Sequence, residues 1–247
     1  MIHSLSAPTS LRGKIQELFS SFQGEGIYWG KRQIFIRFFG CNMKCVYCDE
    51  PETSFVPDSE ASYLFKTADQ LLEEVGVLEK EYGPHHSISL TGGEPLGHAE
   101  FLLELAPSLK DQGFRLYLDT NGTLPERLEQ LISYLDVIAM DIKPPSATGD
   151  RPFWEAHRRF LEIGFQKDLF VKMVVTETTL SKELEQGVAL IASVNPTIPL
   201  VLQPVTPFGT VTETISREKL FEFLTSARRH LSDVRILGQL HKVVGIK

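Results

Sequence analysis

An α/β fold, an incomplete (β/α)6 barrel related to the eight-stranded TIM form, is predicted by three features of this 247-residue sequence. Strand-length apolar runs alternate with helix-length amphipathic stretches from Gln33 onward, the pattern of a parallel sheet built from βα units. Six such runs are present, two fewer than a closed TIM barrel uses. Polar and reactive residues gather where the runs end, the face on which barrels of this kind carry their chemistry. An open doubly wound sheet is the other arrangement that the alternation allows.

The strand-like runs are 33–39, 87–90, 114–118, 137–140, 169–175 and 199–203, each short, apolar and bounded by polar or turn-forming residues. Candidate helices lie at 67–82, 98–112, 125–135, 153–163, 182–194 and 216–231. A seventh short run, 234–237, comes near the end. Residues 49–66 have little periodicity and read as an insertion or lid within a single domain spanning 1–247. No internal repeat or low-complexity tract stands out.

A 42% hydrophobic content is enough for a sizeable core in one domain. Lys and Arg number 25 against 32 Asp and Glu, a formal charge of -7, which argues against a nucleic-acid or acidic-membrane partner and for a small molecule. Residues 1–10 lack the basic start and apolar stretch of a signal peptide. No apolar run approaches the roughly 20 residues that cross a bilayer, so a cytoplasmic location is predicted.

The three cysteines fall together as Cys41-Asn42-Met43-Lys44-Cys45-Val46-Tyr47-Cys48, directly after the first strand. Neighbours that close cannot staple distant segments, and the second Cys or His hook of a zinc site is missing. A four-iron cluster held by three thiolates keeps one iron open for a substrate or cofactor. One βα unit later stands Thr91-Gly92-Gly93-Glu94-Pro95, where the glycines let backbone approach a ligand. The later strands end in Asp119-Thr120-Asn121-Gly122-Thr123, Asp141-Ile142-Lys143 and Leu202-Gln203-Pro204-Val205. The first reads equally as a turn, and Asp141 equally as a helix cap. Gln203 places an amide within an apolar run, which is costly without a partner.

The C-x3-C-x2-C spacing with Tyr47 before the last cysteine, followed by the Gly-Gly-Glu turn, resembles the radical S-adenosylmethionine (SAM) superfamily. That resemblance implies a 4Fe-4S cluster on Cys41, Cys45 and Cys48, and SAM held by Tyr47, Asp49, Gly92, Gly93, Glu94, Asp141, Ile142, Lys143, Leu202, Gln203, Pro204 and Val205. Upstream stands Phe22-Gln23-Gly24-Glu25-Gly26, then Arg37 four residues before the first cysteine, and near the end Gln239-Leu240-His241-Lys242. Together with the cysteines these resemble the 7-carboxy-7-deazaguanine synthase family. The likeness implies a lyase that converts 6-carboxy-5,6,7,8-tetrahydropterin to 7-carboxy-7-deazaguanine with loss of ammonia, in queuosine and deazapurine biosynthesis. It implies a pterin pocket of Phe22, Gln23, Gly24, Glu25, Arg37, Thr91, His241 and the Lys247 carboxylate, a flavodoxin or ferredoxin-like reductant, and a homodimer. A glutamate matches the amino-pyrimidinone edge of a pterin, and an arginine fork matches its carboxylate.

One position departs from the family pattern. Many members carry threonine after Cys-Asp as a magnesium ligand, where this chain has Glu50. Magnesium with Glu50 as ligand, a changed metal dependence and a different heterocycle all remain open. A glycyl-radical-enzyme activase shares the cysteines and Gly-Gly-Glu but has no use for the Gln-Gly-Glu-Gly and Gln-Leu-His-Lys elements. A non-catalytic iron-sulfur or zinc protein shares only the cysteines.

Overall fold

The computed structural model describes residues 11–51, 63–208 and 211–245. Its strands are β1 (Gly13–Phe22), β2 (Arg32–Phe38), β3 (Leu64–Lys66), β4 (Ser87–Gly92), β5 (Leu116–Thr120), β6 (Val137–Asp141), β7 (Asp168–Val175), β8 (Leu200–Pro204) and β9 (Val234–Ile236). They form one nine-stranded sheet in the order β3-β1-β2-β4-β5-β6-β7-β8-β9. From β2 through β9 every pair is parallel, while β1 and β3 add antiparallel at one edge. The sheet is not closed, as an incomplete barrel requires.

The helices are α1 (Ala68–Tyr82), α2 (Ala99–Asp111), α3 (Pro125–Leu131), α4 (Pro145–Thr148), α5 (Trp154–Gly164), α6 (Ser181–Val194), α7 (Arg217–Ala227) and α8 (Leu240–Val244). Helix α1 starts on a capping box: the Thr67 side chain accepts from the Gln70 amide, and the Gln70 side chain accepts from the Thr67 amide.

Alternation along the strands divides the interior in two. Ile88 and Leu90, Leu116 and Leu118, Ile138 and Met140, Val171 and Met173, and Leu200 and Leu202 join the buried faces of the helices in one large apolar core. The intervening Tyr117, Val137, Ala139, Phe170 and Val201 form a smaller cluster on the barrel side, against which Ile27 and Tyr28 pack. The short 3-10 turn Gly26–Tyr28 therefore plugs one end of the barrel. Above this plug the barrel-facing positions turn polar, and there the cavity opens.

All six predicted strands and the short seventh are present. Strand β1 was not among them: its run Gly13–Phe22 mixes polar and apolar residues, because one face meets the core through Ile15 and the other lines the cavity. The 49–66 stretch contains β3, a three-residue edge strand; its residues 52–62, like Lys247, lie outside the described residues. Among the described residues no helix is long and apolar enough to cross a membrane.

Phe170 is fully buried, and its ring occupies the space that a side chain at Gly26 would need. Phe170→Ala is expected to lower stability by about 3–5 kcal/mol, measured by urea unfolding of the cofactor-free chain.

Candidate active site

Strand β2 delivers the cysteine loop, and the turn after β4 holds it from beneath. The Gly93 amide donates to the Phe38 carbonyl (3.0 Å) and the Glu94 amide to the Gly40 carbonyl (2.8 Å). A Cβ at Gly92, whose φ is +123°, would collide with Phe38 backbone, and one at Gly93 with the Gly40 carbonyl. The paired glycines thus let two backbone segments touch. The Asn121 side chain donates to Asn42 Oδ1 (2.8 Å) and toward Cys41 Sγ (3.9 Å), and the Met43 amide donates to the same sulfur (3.5 Å).

Cys41, Cys45 and Cys48 form no disulfide, are partly exposed and face one cavity. Burial first and, against the pull of Lys143, the other two sulfurs push the Cys45 thiol up to about 11, and burial likewise raises Cys41. Such thiols ionise readily only beside a cation, and N–H donors already point at one sulfur, as at iron-sulfur sites. Among the described residues no three His, Cys, Asp or Glu side chains converge on a single-ion site. The donor set fits a cluster that takes each thiolate on a separate iron.

Glu94 does not line this cavity. It is 1% exposed and accepts from Thr120 Oγ1 (2.8 Å), the Asn121 amide (2.8 Å) and the Leu96 amide (3.0 Å), tying the end of β5 to the Gly-Gly turn. Burial pushes its carboxyl up to about 7 against the pull of those hydrogen bonds.

The cavity, about 620 Å³, runs from the cysteines to the Gln23–Glu25 segment. At its floor lies Lys172 on β7, its side chain 2% exposed. Its ammonium donates to Glu25 Oε2 (2.6 Å) and Asp119 Oδ1 (3.0 Å) and stands 3.7 Å from Asp141 Oδ1. Gln203 (2.9 Å) and Gln239 (2.7 Å) donate to the other oxygen of Glu25. Burial alone would raise the Glu25 carboxyl, but the Lys172 charge and these hydrogen bonds outweigh it and hold the group at about 2. Asp119 is pushed up to about 6, chiefly by burial and, against the pull of Lys172, by its carboxylate neighbours. Gly24 and Gly26 make this delivery possible, since a Cβ on the first would strike the His241 ring and on the second the Phe170 ring.

Toward the cysteine end, Lys143 donates to Asp141 (2.9 Å). Tyr47 Oη, Asp141 Oδ1 and Gln203 Oε1 are buried without hydrogen-bond partners among the described residues. Orphaned polar atoms of this kind are what a polar cofactor such as SAM satisfies. On the β2 wall, Arg37 pairs with Glu50, lies 3.8 Å from Glu17 and sits over the Phe19 ring. The α8 segment closes the cavity: the Leu240 amide donates to the Gly24 carbonyl (2.8 Å) and Lys242 pairs with Asp49 (3.3 Å). Burial lowers the His241 pKa, favouring the neutral ring.

Of the residues singled out in the sequence, Phe22, Gln23, Gly24, Glu25, Arg37, the three cysteines, Tyr47, Asp49, Glu50, Thr91, Gly92, Gly93, Asp141, Lys143, Gln203, Val205 and His241 line this one cavity. Glu94, Ile142, Leu202 and Pro204 do not line it; Ile142 and Leu202 point into the apolar core. Asp119 and Gln239 stand in the sequence only as members of longer motifs, and Lys172 has no role there. For Lys172 a signal existed: a lysine in the middle of Leu169–Val175 on a parallel strand is either an error of register or a paired, buried charge.

This fold with this cysteine-lined cavity defines a radical SAM protein, and residues 35–180 match the Radical SAM superfamily. The chain is 41% identical to a 7-carboxy-7-deazaguanine synthase from Geobacter sulfurreducens, over 94% of this chain and 97% of that one. It is 33% identical to the Methanocaldococcus jannaschii protein of the same name, over 94% and 99%. The chain belongs to the 7-carboxy-7-deazaguanine synthase family. Its fold resembles that of QueE from Escherichia coli, with a TM-score of 0.64 at 23% identity over 93% of this chain and 95% of that one.

The raised Glu94 carboxyl has a consequence for stability. Because the fold favours its protonated form, that contribution is complete below about pH 4.5 and is lost as pH rises through about 7. The stability difference between wild type and Glu94→Gln should fall by about 3 kcal/mol between pH 4.5 and 8. Urea unfolding of both cofactor-free proteins across that range checks it, and a constant difference refutes it.

Proposed function

We propose that this protein converts 6-carboxy-5,6,7,8-tetrahydropterin to 7-carboxy-7-deazaguanine with release of ammonia, in queuosine and 7-deazapurine biosynthesis. The observation that carries the reading is one cavity with three thiols at one end and a Glu25, Arg37 and His241 set at the other. The first end suits an iron-sulfur cofactor, and the second suits a heterocycle with an amine edge and a carboxylate. In this reading Cys41, Cys45 and Cys48 hold a 4Fe-4S cluster. Gly92, Gly93, Tyr47, Asp49, Asp141, Lys143, Gln203 and Val205 surround SAM, with Glu94, Ile142, Leu202 and Pro204 supporting them from behind. The cluster and SAM, when bound and reduced, supply the hydrogen-abstracting radical.

The protein's own residues orient the pterin. Glu25, held ionised, accepts hydrogen bonds from the amino-pyrimidinone edge, with Phe22, Gln23 and Gly24 beside it and Thr91 across the cavity. Arg37 takes the substrate carboxylate in a charge-assisted pair, and neutral His241 completes that end. Glu50 pairs with Arg37, so it stands within reach of the same carboxylate. We assign it as the residue that would hold a magnesium ion, an acidic oxygen donor being suited to a hard cation that would offset the charge of the substrate carboxylate. The chain is read as one domain, 1–247. It is read as acting in the cytoplasm as a homodimer that receives electrons from a flavodoxin or ferredoxin-like protein.

Anaerobic reaction of reconstituted protein with SAM, reductant, magnesium and the pterin, followed by mass spectrometry, tests the assignment. The deazaguanine product should form only in the complete mixture. Cleavage of SAM with the pterin unchanged would move the protein to a different heterocycle. In the same assay Glu50→Gln should raise the magnesium concentration for half-maximal rate about tenfold, because removing a charged ligand weakens a hard-cation site.

A further inference from the structure

Strand β7 turns Asp168, Phe170, Lys172 and Val174 toward the barrel. Lys172 is 2% exposed, and it meets carboxylates from three separate parts of the chain: Glu25 in the turn after β1, Asp119 at the end of β5 and Asp141 at the end of β6. Asp141 has a second cation, Lys143 at 2.9 Å, whereas among the described residues the ion pairs of Glu25 and Asp119 are made with Lys172. The same ammonium thus links Glu25, which stands beside His241 and Gln239, to Asp141, which stands beside Lys143, Tyr47 and Cys45.

We propose that Lys172 is a positioning residue for the pterin: its ammonium keeps Glu25 ionised and aimed, with Asp119 as the counter-charge that holds the ammonium in place. The proposal rests on the functional reading above. An ammonium offers three donors and no acceptor, so it cannot itself accept from the amine edge of a pterin and works through the carboxylate. Removing it leaves Glu25 facing Asp119 and Asp141 in a buried site, with Lys143, His241 and Tyr117 among the titratable groups nearby. Like charges so placed drive carboxyls to take up protons, Asp119 and, once the cation that offsets its burial is gone, Glu25 as well. A protonated Glu25 presents a donor where the pterin also presents one.

The test is equilibrium binding of 6-carboxypterin, followed by its fluorescence, to reconstituted wild type, Lys172→Met, Lys172→Arg, Asp119→Asn and the double variant Lys172→Met with Asp119→Asn. Iron content and thermal unfolding are measured alongside. Wild type should bind with little change from pH 6 to 8, because Glu25 stays ionised throughout. Lys172→Met should bind about 10- to 100-fold more weakly at neutral pH, the loss expected for a charge-assisted contact. Its affinity should recover as pH rises. Lys172→Arg should bind more weakly than wild type but without that pH dependence, since the charge is kept and only the geometry is lost.

The double variant, with one fewer carboxylate to repel Glu25, should recover part of the affinity and shift its pH dependence downward. If Lys172→Met does not fold, Lys172→Arg and the double variant carry the same comparison. Folded variants that bind as wild type does, with flat pH profiles, overturn the proposal. Wild type that binds no pterin overturns the functional reading instead.

Discussion

A lysine inside a barrel is a constraint on everything around it. Removing an ammonium from water costs several kcal/mol even after the protein relaxes, so partners must be brought to it from wherever the chain can supply them. Lys172 is met by Glu25, Asp119 and Asp141, and the first of these is the most demanding. Its segment has to leave the end of β1 and descend into the barrel, where Ile27 and Tyr28 pack against Phe170 and Tyr117. Only glycine fits on either side, because the His241 and Phe170 rings occupy the space. Gln-Gly-Glu-Gly is thus shaped by the barrel floor as much as by any ligand. Apolar residues of similar volume often stabilise a fold as well as a buried ion pair does. The charge therefore says more about the cavity than about stability.

The cysteine loop shows the same economy in backbone. Gly92 and Gly93 let the β4 turn press against Phe38 and Gly40, and the hydrogen bonds made there fix where the loop leaves β2. Glu94, directed away from the cavity, accepts from Thr120 and Asn121, while Asn121 reaches Asn42 and Cys41. Three strand ends are thereby locked to one another before any cofactor is bound. This is the preorganisation that a site holding a reactive group requires.

How far the sequence could be read follows from which forces act locally. The parallel strands were visible because their outward residues are uniformly apolar, and the cysteine spacing and Gly-Gly-Glu turn because their residues are adjacent. Strand β1 was hidden: a strand with one wall on the cavity carries Gln16 and Glu17 where a core strand would carry aliphatics. Glu94 was read as facing a ligand because a motif records adjacency, and the direction of its side chain depends on Asn121, 27 residues away. Lys172 looked like part of an apolar run, since its partners Asp119 and Glu25 are 53 and 147 residues distant. Charge pairing at that separation leaves no local pattern.

The acceptor count on Glu25 adds a last constraint on what enters the cavity. A carboxylate offers about four lone-pair positions, and Lys172, Gln203 and Gln239 occupy three of them. A ligand that presents a single N–H can use the position left. One that presents two adjacent N–H donors, as an amino-pyrimidinone edge does, must also take over a position held by an amide. Gln239 is the partner best able to yield, because it also donates to Asp49 (3.2 Å) and sits at the start of α8, whereas Lys172 and Gln203 are anchored in strands. A donor pair arriving at Glu25 would then pass the Gln239 amide toward Asp49, beside the last cysteine of the cluster loop. The Glu25 carboxylate and the cysteine loop are in this way joined through a single amide.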